Sequence, residues 1–106
     1  MKIIKCLSEK IEDELSDARE YIEKAIAWKT EEPDVAELFY QLSLEEMGHM
    51  ERLHQMVAEK IAEYRRTKGE PPKEMMTLYE YLHNKHMQEA MKIRVMQGMF
   101  KEGQGA

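Results

Sequence analysis

Apolar residues recur three and four positions apart along almost the whole chain, and the recurrence is broken twice. The first run is Ile4, Leu7, Ile11, Ala18, Tyr21, Ala25 and Trp28, a heptad seam with one ionisable member, Glu14. The second is Val35, Leu38 or Phe39, Leu42, Leu53, Val57 and Ile61, with Glu46 and His49 in the same line. The third is Tyr79, Leu82, Ile93, Met96 and Phe100, interrupted by His86 and Glu89. The breaks are TEEPD at 30–34 and KGEPP at 68–72, where proline and glycine punctuate a chain otherwise poor in both. This pattern predicts an all-α chain with helices over about residues 3–29, 34–67 and 72–101, arranged as an antiparallel hairpin plus a third helix in one domain spanning 1–106. Asp34 with Glu37 reads as a capping-box start for the second helix. The third is expected to open after Pro71 and Pro72, or at Thr77 with Glu80, and to fade at Gly103, with the closing GQGA frayed. Strand signals, internal repeats and low-complexity segments are absent from the sequence.

The polar residues inside the seams carry the chemical interest. Glu46 and His49 are three apart, so they share one helix face and can converge on a point. About 15 residues separate Glu14 from the end of the first helix, and 12 to 15 separate Glu46 and His49 from the start of the second. At ~1.5 Å rise per residue, an antiparallel hairpin puts Glu14 level with His49 and within one turn of Glu46. Two carboxylates brought together in an apolar seam repel one another and lose hydration, and a bound cation relieves both penalties. The bland alternative is a hydrogen-bonded polar layer that only fixes register. Counted from the second turn, Glu89 falls nearly level with His49 and His86 about one turn away, so both are further candidate ligands. Tyr21 is expected as an ordinary core aromatic.

Composition bounds these readings. The 106 residues are 35% charged and 42% hydrophobic, enough for one small core. A net charge of -5, with acidic residues spread along the chain, argues against nucleic acid as a partner. No run of 18 apolar residues exists, so no membrane span is expected. The opening MKIIKCLSEK lacks the apolar stretch of a secretory signal, which makes a cytoplasmic location the expectation. Cys6, the single cysteine, is expected as a small apolar residue in the helix seam. Ten methionines, among them Met87 and Met91 in line with His83, and Met47 and Met50 with His54, suggest a soft copper(I) site as an outside reading. They are more simply adaptable core or interface filler, with His54 and His83 partly exposed at the surface.

The segments ELSDAREYIEKA around Glu14 and AELFYQLSLEEMGHMERLH around Glu46 and His49 resemble the ferritin-like superfamily, in particular its rubrerythrin-type branch. The resemblance covers roughly residues 7–60, and its key motif is short. In that family a di-iron or di-manganese site takes one Glu from each of two helices and an ExxH from each of two others. This chain holds one such set, and its third helix offers HxxE instead of a second ExxH. The resemblance therefore implies a half-site, completed when two copies pair as a homodimer or within a larger assembly. It implies iron, with manganese or zinc also suited to carboxylate and imidazole donors. Glu14 would be a terminal or bridging ligand, Glu46 a bridging ligand and His49 a terminal nitrogen ligand. Ferroxidase or peroxide-reducing activity would follow, although no CxxC electron carrier is present. A helical interaction or assembly protein, with polar seam residues that merely specify pairing, is the reading from a different class.

Overall fold

The computed structural model describes residues 1–104, apart from the side chain of Gln104. Three helices follow one another, α1 (Lys2–Trp28), α2 (Pro33–Lys68) and α3 (Lys73–Gln104), and no strand occurs among the described residues. The expected all-α hairpin with a third helix is thus what forms. The end of α3 differs, because the helix continues through Gly103. Of the expected frayed GQGA, residues 105–106 lie outside the described part.

The two turns sit where proline and glycine placed them. Pro33 occupies the first position of α2, where its missing N–H costs nothing, and Glu32 precedes it without a side-chain cap. Asp34 is not the N-cap that the expected Asp34–Glu37 capping box requires. Proline moves the helix start forward, so Asp34 lies inside the first turn, where its Oδ1 accepts from the Val35 N–H and its charge favours the helix dipole. At the other end Arg65, Arg66 and Lys68 complement the dipole, and Gly69 leaves the helix at φ +89°, a conformation that a Cβ would strain.

The bundle is a rod of 55 × 19 × 18 Å. α3 runs parallel to α1, since its contacts link Met1 with Met75, Arg19 with Glu89 and Lys29 with Phe100, a constant offset of 70 to 74 residues. It lies on one face of the α1–α2 hairpin. On that side α2 buries Ala36, Tyr40, Ser43, Met47 and Met50, with Tyr40 stacked on Phe100 at 4.9 Å. α1 likewise buries Ser8, Leu15 and Ile22 beside its central Ile4, Ile11, Ala18 and Ala25.

This corrects the expected seams. On α2, Val57 and Ile61 are buried as expected, but Leu38 is 57% exposed, Leu42 and Leu53 are half-buried, and over residues 36–50 the buried stripe is the neighbouring one. Trp28 is exposed, and Tyr21 is half-buried against Phe39. The physical reason is that α3 needs an apolar face of its own, so the hairpin turns its Tyr40–Met50 side inward and leaves the Leu42–Leu53 side half-covered. Cys6 is exposed as well, because its position on α1 faces away from both neighbours.

Candidate metal centre

Glu14 lies near the middle of α1 on the hairpin face opposite α3, within the groove lined by Leu7, Lys10, His49, Arg52, Leu53 and Met56. Across from it, Glu46 and His49 stand one turn apart on α2. His49 Nδ1 is 3.5 Å from Glu14 Oε2 and 3.8 Å from Glu46 Oε2. One ligand atom from each of the three residues lies within 4.8 Å of the others. Sequence counting alone had placed these three side chains at one height, and the structure brings them together.

Burial falls across the group. The Glu14 side chain is 10% exposed, Glu46 18% and His49 53%, so the pair of carboxylates forms the floor and the imidazole stands at the groove's opening. Glu14 Oε1 has Lys10 Nζ at 3.5 Å, a long contact to a half-exposed ammonium. Glu14 Oε2 is buried and accepts no hydrogen bond, because the His49 contact is too long and poorly directed to count as one. A buried carboxylate oxygen without a donor is costly, and the inward-facing cluster gives a divalent cation what it requires: oxygen and nitrogen donors of hard to borderline character. The donor set therefore fits iron, manganese or zinc. Three protein ligands gathered from one side leave the other side of an ion open to water, substrate or further protein ligands.

The structure does not bring Glu89 or His86 to this group. Glu89 accepts from Arg19 at 2.8 Å, and His86 lines the space between α1 and α3 with Ser8 and Glu12. The offset between α1 and α3 makes His86, not Glu89, level with Glu14, one turn different from the count along the sequence. Both residues stand on the hairpin face opposite the Glu14 groove. The methionine lines fare differently from a soft metal site: Met47 and Met50 are core, and Met91 is 66% exposed.

Two features were missed in the sequence. Lys10, one turn before Glu14, supplies the only lysine or arginine ion pair to the group among the described residues. Its i, i+4 spacing was the available signal. The second is a histidine pair, in which His54 Nε2 and His83 Nδ1 share a hydrogen bond of 2.8 Å and the rings stack at 4.7 Å. Both residues are partly exposed, as expected, where α2 and α3 meet. Burial, followed by the neighbouring His83 and His86, pushes the His54 pKa down.

Among known proteins, no family model, no curated sequence and no solved structure matches this chain.

Proposed function

We propose that the chain is a ferritin-like metal-binding protein, with Glu14, Glu46 and His49 as the ligands of one half of a two-ion centre. The observation that carries this is Glu14 Oε2, buried without a hydrogen-bond donor at the floor of a cluster that holds a second carboxylate and an imidazole. A register-fixing polar layer would satisfy its buried acceptors within the protein. This one leaves the innermost acceptor unsatisfied and the imidazole at the opening.

The half-covered face supports pairing of two copies. Leu7, Leu42 and Leu53 are half-buried and Met56 is 41% exposed around the cluster. A second hairpin packed there by two-fold symmetry would bury these side chains and bring a second Glu, Glu and His set to the first. Glu14 and Glu46 would hold and bridge the ions, and His49 would cap each with nitrogen. Iron bound there would supply redox chemistry toward oxygen or peroxide; the protein's part is to fix the ligands and exclude bulk water. Ferrous oxidation is the activity to assay.

The test is metal content per chain together with oligomer mass, on protein purified without chelator and then titrated with ferrous, manganous or zinc ions. One ion per chain in a dimer or multiple of a dimer, lost in Glu46→Ala and His49→Ala with helicity retained, is the expected result. A metal-free wild type that stays metal-free on titration rejects the proposal in favour of an assembly protein. A strict monomer that binds metal rejects the pairing.

A further inference from the structure

His49 belongs to the Glu14 group; of the other three histidines, His54 on α2 and His83 on α3 meet ring to ring, Nε2 to Nδ1 at 2.8 Å. Both rings are held in place. Tyr79 lies tilted against His83 at 5.8 Å, and the buried Met50 and Val57, one turn to either side of His54, fix that face of α2 in the core. Both imidazoles are partly exposed, so an ion from solvent can reach them. The pair lies on the α3 side of the hairpin, whereas the Glu14 group faces away from α3. The two sites share no residue, and the pair is independent of the ferritin-like reading.

Spacing and protonation both suit a metal ion. Two ligands at a right angle on a tetragonal ion, with metal–nitrogen bonds of about 2.0 Å, stand about 2.8 Å apart, and on a tetrahedral ion about 3.3 Å. The His54–His83 separation of 2.8 Å is the right-angle value, which selects copper(II) or nickel(II) over zinc. Imidazole donors and the Irving–Williams order put copper(II) first among these. Burial, followed by His83 and His86, lowers the His54 pKa, so its ring is neutral at pH 7 and need not shed a proton before binding. Binding replaces the hydrogen bond: the donating ring moves its proton to its other nitrogen, and both facing nitrogens then offer lone pairs to the ion. Water completes the coordination on the exposed side.

We propose that His54 and His83 form a two-histidine clamp for a tetragonal divalent ion, copper(II) in the first place, which fastens α3 to α2. Among the described residues this is the polar contact between α2 and α3 nearest the Gly69–Pro72 connection; Glu51–Arg94 and Ser43–Gln97 lie further along. An ion shared by the two helices binds only their closed arrangement, so it stabilises the attachment of α3 at that end.

The experiment titrates copper(II) into the full chain, wild type and Glu46→Ala/His49→Ala in parallel, which tells copper at the Glu14 group apart from copper at the clamp. One copper per chain that survives the double substitution is expected, with a tetragonal electron paramagnetic resonance spectrum showing two nitrogen donors. The His54 and His83 imidazole resonances should broaden beyond detection as that copper binds, and hydrogen exchange around His83 should slow. His54→Gln should weaken this binding at least tenfold and remove one nitrogen from the spectrum. Nickel(II) should bind more tightly than zinc(II). Copper that is lost in the double variant although its helicity is retained, a spectrum without both nitrogens, sharp His54 and His83 resonances, or a preference for zinc over nickel overturns the proposal. The spectrum and the resonances are read with His54 and His83 intact, in wild type as well, so the outcome stands even where a substituted chain fails to fold.

Discussion

Ser43 donates its hydroxyl hydrogen to the Ala18 carbonyl oxygen at 2.7 Å, and this contact sets the height of α2 against α1. Ala18 is one turn from Glu14 and Ser43 one turn from Glu46, so the bond acts as a ruler for the candidate metal centre. Gln97 Nε2 donates to the same Ser43 oxygen at 2.9 Å, which ties in α3. The group is buried throughout, Ser43 being 0% exposed and Gln97 7%.

Ser43→Ala should therefore act at two levels. It strands the buried Gln97 amide, at a cost of about 1–2 kcal/mol of stability measured by urea denaturation. It also frees the hairpin to slide, so metal affinity should fall although no ligand has changed. Gln97→Leu in the Ser43→Ala background should restore most of the stability but not the affinity. Full recovery of both would show that the bond stabilises without positioning.

Glu14→Leu should separate stability from binding. Removing a buried carboxylate that lacks a full set of donors should raise the stability of the metal-free protein by about 1–3 kcal/mol, since apolar replacements of poorly compensated buried charges are often stabilising. Metal uptake should be lost in the same variant. A destabilised Glu14→Leu would mean that the contacts with Lys10 and His49 already compensate the charge.

Metal removal gives the converse. At free metal about 100 times its dissociation constant, binding adds roughly 2.7 kcal/mol to the folded state. Chelation should lower the Tm by several degrees in wild type and leave Glu46→Ala unmoved. Glu89→Ala is the control on the far side of the hairpin: it breaks the half-exposed Arg19 pair, which solvent screens, and should leave both stability and metal content nearly as they were.

The outcome at Glu89 shows what the sequence could and could not convey. Proline and glycine marked both turns, and once the hairpin was assumed, residue counting placed Glu14 beside Glu46 and His49. Such counting works across a short turn between antiparallel helices because rise per residue is fixed. It slipped by a turn for α3, where the Gly69–Pro72 connection adds an offset that the sequence does not specify. Choosing the buried stripe on α2 succeeded at Val57 and Ile61 but failed over residues 36–50, for a related reason. Leu42 and Leu53 look more core-like than Ala36, Tyr40 and Ser43, and both stripes repeat at helical spacing, one for the α3 side and one for the half-covered side. Periodicity reports that a face is apolar but not which neighbour covers it. Ser43 itself gave no hydrophobic signal at all.

Acid should loosen the attachment of α3. Burial first, and then His83 and His86, lower the His54 pKa from its ordinary 6.5; burial also lowers that of His86, against the opposing pull of Glu12. A histidine whose folded pKa is depressed takes up its proton more readily in the unfolded chain, so its contribution to stability is present above about pH 6.5 and is lost as pH falls through the folded value. The His54–His83 hydrogen bond adds to this, because it needs a lone pair on one ring and a second proton on the pair removes it. Stability from urea denaturation should accordingly drop between pH 7 and pH 5, before most carboxylates titrate. The loss should be smaller in His54→Gln, which can still donate or accept but does not take a proton. The far end of α3, held by the Tyr40–Phe100 stack and by Gln97, should open later than the His83 region, which hydrogen exchange at the two ends would resolve. Equal pH dependence in wild type and His54→Gln would assign the acid sensitivity elsewhere.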